Sequence, residues 1–295
     1  MAYEQPPWEQ SVTFLLELRR YEEALGLCDQ VLTSDPTDVA AWTTKCDVLD
    51  NLYRYKEALV ACDRALALDS SEPARWNNRG KVLYNLRRYE EALAAFEQVL
   101  ALDANSIKGW NNKGNALSAL KQYQEALTCF DRALALDPQF PFAWNGKGIV
   151  HARFKEFTQA LSDFEQALAG DHTFAAAWNS LGNLQISAKK DYAAALSHYE
   201  QALGCDPRFV FAWNGKGYAL LRLKRSQEAL AAVEQALSLW PEFPEAWGTK
   251  ARVLFRLRRY TQALAAYRQA RSLLVQINTV RRQYQRAAHP RSRPA

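Results

Sequence analysis

Residues 76–105 read WNNRGKVLYNLRRYEEALAAFEQVLALDAN, and this stretch decides the fold. Its apolar side chains recur mostly three or four residues apart, at Trp76, Val82, Leu83, Leu86, Leu93, Phe96, Val99 and Leu100. This spacing predicts two amphipathic helices. Between them, Arg87-Arg88-Tyr89 places cations at the negative end of the first helix. One helix pair cannot bury both of its apolar faces, so we expect such pairs to stack on their neighbours.

The same pattern repeats along the chain with a period of 34 residues. Tryptophan marks the period at Trp8, Trp42, Trp76, Trp110, Trp144, Trp178, Trp213 and Trp247, where one spacing is 35 and the others are 34. Four residues after most of these tryptophans comes a glycine, at Gly80, Gly114, Gly148, Gly182 and Gly217. A fixed period of this length predicts an array of repeated helix pairs.

The pattern resembles the tetratricopeptide repeat, and the resemblance runs from about residue 5 to residue 277. It implies an all-α, right-handed superhelix of about eight helix-turn-helix repeats, at about 5–38, 39–72, 73–106, 107–140, 141–174, 175–209, 210–243 and 244–277. The spelling Trp-Asn-x-Lys-Gly at 144–148 and 213–217 is similar to bacterial arrays. Nothing interrupts the helical pattern after Tyr260, so we expect residues 278–288 to continue a long capping helix. Residues 289–295 are expected to form a basic disordered tail.

Several function classes find no support in the sequence. No stretch approaches the length of about 18 apolar residues that spans a bilayer, and no signal peptide is visible, so we expect a cytoplasmic protein. The five cysteines form no CxxC pair, which favours reduced thiols over a disulfide framework or a zinc site. We find no glycine-rich phosphate loop, no serine nucleophile elbow and no metal-spaced His/Cys set. The chain is therefore predicted to be no enzyme and to need no cofactor.

The resemblance implies that the first helix of each pair lines a concave groove that binds a partner protein. One residue after five of the tryptophans stands an asparagine, at Asn77, Asn111, Asn145, Asn179 and Asn214. An amide both donates and accepts hydrogen bonds, so this ladder could hold the backbone of an extended peptide. The alternative is that these amides only bond to neighbouring turns of the protein itself.

The later repeats place larger side chains on the same groove face. The predicted groove residues there are Phe142, Ile149, Arg153, Phe211, Tyr218, Leu221 and Arg222. Aromatic and arginine side chains dominate protein-binding hot spots, so this end is predicted to capture an extended peptide or a helix. The alternative for Phe142 and Phe211 is packing on adjacent helices.

The charge of the chain is strongly asymmetric. Residues 1–245 carry 25 basic and 32 acidic side chains, and residues 246–295 carry 12 basic and no acidic ones, which gives −7 and +12. The possible polyanion patch consists of Arg281, Arg282, Arg286, Arg291 and Arg293. Such a patch attracts nucleic acid or an anionic membrane in a salt-dependent way. The alternative is a solvated cap that keeps the array soluble.

These observations predict a non-catalytic scaffold or adaptor that binds a partner segment in its groove. The alternative function is a regulatory or assembly factor whose basic C-terminal end docks on nucleic acid or an anionic membrane. The sequence leaves the identity of the partner and the oligomeric state open.

Overall fold

The 34-residue period appears in the structure as a succession of helix pairs. The computed structural model describes the backbone of residues 7–288 and the side chains of residues 8–279, and all regular structure in that range is helical. The chain forms two compact units, Met1–Leu136 and Asp137–Ala295. The first unit contains α1 (Pro7–Glu17), α2 (Tyr21–Ser34), α3 (Val39–Asn51), α4 (Tyr55–Leu68), α5 (Pro73–Asn85), α6 (Tyr89–Leu102), α7 (Ile107–Ala119) and α8 (Tyr123–Leu136).

The second unit has the same organisation. It contains α9 (Pro141–Arg153), α10 (Phe157–Gly170), α11 (Ala175–Lys189), α12 (Tyr192–Cys205), α13 (Val210–Arg222), α14 (Ser226–Leu239), α15 (Pro244–Arg256) and α16 (Tyr260–Ala288). In each unit every helix packs on the next one along the chain, and the first helices of successive repeats also contact each other, as α11 does with α13 and α13 with α15. The predicted all-α stack of helix-turn-helix repeats with a long C-terminal helix is confirmed.

The turn inside each repeat contains one residue with a positive φ. This φ is 55–66° in all eight repeats, at Arg19, Tyr53, Arg87, Lys121, Lys155, Lys190, Lys224 and Arg258. The residue is the second after the first helix in seven repeats, and it is the first, Lys190, in the sixth. In the fourth repeat, for example, Lys121 N–H donates to Ser118 and Gln122 N–H donates to Leu117. These two bonds satisfy carbonyls that the end of the first helix would otherwise leave without a partner.

The tryptophans close the loops between repeats. From the second repeat onward, each indole Nε1 donates to the backbone carbonyl six residues earlier at 2.8–3.0 Å, as Trp178 does to His172 and Trp213 to Pro207. The ring also lies beside the helix pair that it opens. The tryptophan therefore fixes how the chain enters each repeat as well as filling space.

A glycine in the first helix lies against an aromatic ring in the second. A Cβ atom placed on Gly148 would lie 2.5 Å from the Phe164 ring, and one on Gly182 would lie 2.6 Å from the Tyr199 ring. The same arrangement joins Gly80 to Phe96 and Gly114 to Phe130. Real Cβ atoms do not approach rings this closely, so only glycine lets the two helices reach their observed separation.

The second repeat replaces the glycine–aromatic pair by two cysteines. Cys46 occupies the glycine position and Cys62 the aromatic position, and their Cα atoms lie 5.3 Å apart, which is within the range of disulfides. The structure joins these two side chains in a disulfide, so the prediction of reduced thiols is wrong for this pair. Cys28, Cys129 and Cys205 are free.

Candidate functional site

An open groove lies in the second unit. First helices α11, α13 and α15 form one wall of it, and α16 forms the other. Its volume is about 1060 Å³. Its polar lining includes Asn183, Asn214, Thr249, Arg252 and Arg271, and its apolar lining includes Ile186, Tyr218, Phe255, Leu264 and Tyr267. This mixture of aromatic rings, amides and guanidinium groups is typical of surfaces that bind protein segments.

Tyr218 and Arg222, both predicted groove residues, form a small cluster on α13. The Arg222 guanidinium donates to the Tyr218 hydroxyl at 3.0 Å and lies 4.5 Å from the ring centroid of Tyr192. Arg252 approaches the other side of Tyr218, at 5.9 Å from its ring centroid. The hydrogen bond to Tyr218 raises the pKa of Arg222 above its ordinary value, so the exposed guanidinium stays cationic. The cluster presents positive charge beside an aromatic ring.

Phe142 and Phe211 each contact the aromatic loop of the following repeat and still expose almost half of their surface. Phe142 is 49% exposed and lies 4.6 Å from Phe174, centroid to centroid. Phe211 is 43% exposed and lies 5.4 Å from Phe243, which is buried and stacks on Trp240. Both rings are therefore anchored on their inner side and open on the other.

The remaining apolar and basic predictions differ in exposure. Ile149 and Arg153 are exposed on α9. Leu221 is half-buried and packs against the core cluster of the second unit, so its contribution is shared between the core and the groove face. Ile149 and Arg153 are free to contact a partner without any rearrangement.

The asparagine ladder divides into two kinds of site. In the first unit, Asn111 is buried and its Nδ2 donates to Asn112, whose own Nδ2 donates to Asn77. Local bonding of this kind is the alternative that the sequence left open. In the second unit, Asn145, Asn179 and Asn214 are half-buried.

Three amide oxygens of this ladder have no hydrogen-bond donor. They are the buried Oδ1 atoms of Asn111, Asn145 and Asn214. A buried acceptor left without a donor is costly, at about 1–3 kcal/mol. Asn214 also lines the groove, although its Oδ1 atom is itself buried.

The groove face of the first unit is polar and satisfies itself. Asn78 Nδ2 donates to Asp47 at 2.9 Å, Asn85 Nδ2 donates to Asp50 at 2.9 Å, and Lys81 Nζ lies 3.3 Å from Asp50. Burial raises the pKa of Asp47. Burial opposes the charge of Lys81, but Asp50 and Asp47 raise its pKa above the ordinary value. These polar side chains pair with one another and leave few free polar atoms for a ligand.

The lysine or arginine three residues after the tryptophan connects repeats. Lys45 pairs with Asp29, Arg79 with Asp63, Lys113 with Glu97, Lys216 with Glu200 and Lys250 with Glu234. Lys45, Lys147, Lys216 and Lys250 also lie 5.2–5.7 Å from the ring centroid of their own tryptophan. Sequence reasoning missed these pairs. The acidic partners recur sixteen residues before each cation, and that spacing could have revealed them.

The predicted polyanion patch lies at the end of the chain. Arg281, Arg282 and Arg286 belong to α16, and their side chains are outside the described part. Arg291 and Arg293 lie outside the described residues altogether. Nearer the groove, Arg252, Arg256, Arg258, Arg259, Arg268 and Arg271 are exposed.

The described part of the chain offers neither a metal-binding cluster nor a membrane-spanning helix. Among residues with described side chains, no group of three or more His, Cys, Asp or Glu could hold a metal ion. In the same part of the chain, none of the helices combines the length and the apolar character needed to cross a membrane. His151 Nδ1 lies 2.5 Å from the buried Asp163 carboxylate, which places this pair inside the fifth repeat.

Comparisons with known proteins agree with the fold. Family models described as tetratricopeptide repeat match residues 15–79, 73–106, 107–140, 156–208, 187–244 and 214–273. No curated protein matches the chain. The crystal structure of the APC/C hetero-tetramer Cut9-Hcn1 contains a chain that is 16% identical, with a TM-score of 0.64 over 90% of this chain. This chain spans about half, 52%, of that one.

A second solved structure, the crystal structure of MamA, is 15% identical with a TM-score of 0.47 over 55% of this chain and 94% of that one. At 16% identity, the match to the Cut9-Hcn1 structure shows a shared fold only. The family matches together cover most of the sequence. The chain belongs to the tetratricopeptide repeat family.

Proposed function

We propose that the chain is a non-catalytic scaffold or adaptor that captures a segment of a partner protein along the groove face of its first helices. One observation carries the proposal: the second unit holds an open groove of about 1060 Å³ in which aromatic rings, cations and amide side chains lie together. Family membership supports protein binding in general. The named groove residues and the partner segment are the part that we add.

The groove chemistry favours a segment that brings both apolar and hydrogen-bonding groups. The half-exposed rings of Phe142 and Phe211, which lie on first helices outside the groove lining, and the Tyr218–Arg222 cluster supply apolar and cationic contacts. The amide side chains of Asn183 and Asn214 belong to the groove lining and supply its uncharged polar groups. The repeat spelling Trp-Asn-x-Lys-Gly at 144–148 and 213–217 supports a bacterial origin.

Alanine at Phe211 and Tyr218 is expected to weaken capture of the native partner strongly. Each change removes a hot-spot contact worth about 2 kcal/mol, which corresponds to about 30-fold in Kd. The measurement is affinity capture from native lysate followed by titration of the captured protein. The control is Leu161→Ala, an apolar residue of similar exposure on the second helix α10, which should leave the Kd unchanged. If the Phe211 and Tyr218 variants bind the partner as tightly as the parent protein does, the groove face is not the binding surface.

A second candidate function rests on the charge of residues 246–295. Twelve basic and no acidic side chains there favour docking of the C-terminal end on nucleic acid or an anionic membrane, as in a regulatory or assembly factor. Retention on heparin at physiological salt, lost on deletion of residues 278–295, supports this candidate. Partner capture that survives the deletion without any heparin retention in the full chain supports the adaptor alone.

A further inference from the structure

The last helix exposes a face that is covered in the preceding repeat. On α14, Leu230 is 8% exposed and Val233 is fully buried, and α14 packs on α15. Their counterparts 34 residues later are Leu264 and Tyr267 on α16, which are 49% and 57% exposed. Equivalent positions therefore change from core to surface at the end of the array.

The same change occurs on the first helix of the last repeat. Leu221 on α13 is half-buried, whereas its counterpart Phe255 on α15 is 66% exposed. In the preceding repeat, both helices of the pair contact the next first helix, since α15 packs on α14 and α13. Within the described residues α16 is the last helix. The positions on α15 and α16 that are equivalent to the covered positions on α13 and α14 are therefore not covered by a helix. Phe255, Leu264 and Tyr267 on this uncovered face form one end of the groove of about 1060 Å³.

The equivalent contact inside the chain indicates what fits there. Tyr199 of α12 is met by Gly215 of the next first helix, where an added Cβ would lie 2.6 Å from the ring. Thr249, the residue at this position in the last repeat, is also small and is buried. An occupant that lies against Tyr267 in the same way therefore needs a small residue opposite the ring.

The charge of the groove lining also restricts which occupant fits. Arg252 and Arg271 line the groove, whereas Glu245 is the acidic residue among its lining. No acidic residue occurs between positions 246 and 295. An occupant with acidic residues on its flanks is therefore complementary to this end of the chain.

We propose that this place is a docking site for one acidic amphipathic helix of a partner protein, which occupies the position of the first helix of a ninth repeat. The helix lays an apolar stripe on Phe255, Leu264 and Tyr267 and places a small residue opposite Tyr267. Its acidic residues face Arg252 and Arg271. In helix-in-groove recognition, the bound helix places apolar anchors at positions i, i+3, i+4 and i+7. The proposal names the partner chemistry at one end of the groove and rests on the proposed function.

A peptide copied from the chain itself tests the proposal. The probe is residues 209–223, which include α13, with Lys216→Glu and Arg222→Glu, labelled for fluorescence anisotropy and titrated with the full chain. The acidic probe is expected to bind at least about tenfold more tightly than the unchanged peptide, because its added carboxylates face cations. Adding Gly215→Leu to the acidic probe should abolish binding, because the larger side chain collides with the aromatic ring.

Variants of the full chain locate the binding. L264K with Y267K should weaken acidic-probe binding by at least about 30-fold, since both anchors become charged. R252E with R271E should reverse the preference, so that the unchanged basic peptide binds better. R258E is the matched control: Arg258 is exposed in the turn before α16 and does not line the groove, and this variant should bind the probe as the parent does. Circular dichroism checks that each variant keeps its helices.

Two outcomes overturn the proposal. One is acidic-probe binding that L264K with Y267K leaves unchanged, or no probe binding at all. The other is concentration-dependent self-association of the full chain, seen by sedimentation velocity and lost in L264K with Y267K, which would assign the face to a second copy. If the probe fails while native-partner capture still depends on Phe211 and Tyr218, this inference falls and the proposed function stands.

Discussion

Replacing Tyr199 by alanine is expected to lower the free energy of unfolding by about 3–5 kcal/mol. The ring is fully buried on α12 and lies between two glycines, Gly182 of its own repeat and Gly215 of the next. Neither glycine has a side chain that could move into the space, so the cavity stays open. Removing the ring therefore loosens the second helix pair of this unit from the third. The measurement is urea unfolding followed by far-ultraviolet circular dichroism.

The matched control keeps the ring and removes only the hydroxyl. Tyr199 Oη donates to Asn183 Oδ1 at 2.8 Å, so Tyr199→Phe should cost only about 1 kcal/mol. If the alanine variant costs no more than the phenylalanine variant, the ring does not hold the two repeats together.

Gly148→Ala is expected to destabilise the protein, although alanine is the better helix former. A Cβ atom at this position would lie 2.5 Å from the buried Phe164 ring, which has no free space to retreat into. Overpacking of this kind costs about 1–3 kcal/mol. The measurement is the shift of the thermal and urea midpoints relative to the parent protein.

The same substitution at Gly26 should have the opposite sign. Gly26 lies inside α2, and nothing lies within 4 Å of a Cβ atom placed there. Gly26→Ala is therefore expected to stabilise the protein by about 0.5–1 kcal/mol, through helix propensity alone. Equal effects of the two substitutions would show that close helix approach is not what Gly148 provides.

The sequence predicted the fold well because one physical constraint recurs eight times. Tryptophan, glycine and alanine return at fixed positions, and each helix pair has an apolar face that only a neighbour can cover. Continuation of the last helix past residue 277 also followed from the sequence, since no break interrupts its apolar stripe. The structure has α16 end at Ala288.

Side-chain partners were harder to predict because they depend on which groups meet in space. Of the cations three residues after the tryptophans, five pair with acids of the preceding helix, and no local pattern beside the tryptophan marks these pairs. Cys46 and Cys62 both depart from the glycine–aromatic pair that other repeats have at these positions. This signal is visible only when the two positions are compared as a pair. Asn111 donates a hydrogen bond to Asn112. The predicted ladder considers only the residue directly after each tryptophan, so it does not include Asn112.

The central claim is that the first helices of the second unit form the surface that holds the partner. Site-specific photo-crosslinking in living cells tests it most directly, with a photoreactive phenylalanine analogue placed singly at Phe211, Tyr218 or Phe255. The comparison positions are Ser197 and Ala231, which are exposed on the second helices α12 and α14. The account predicts that one partner is crosslinked from the three first-helix positions and from neither comparison position. Crosslinking of the partner only from Ser197 or Ala231 would contradict it.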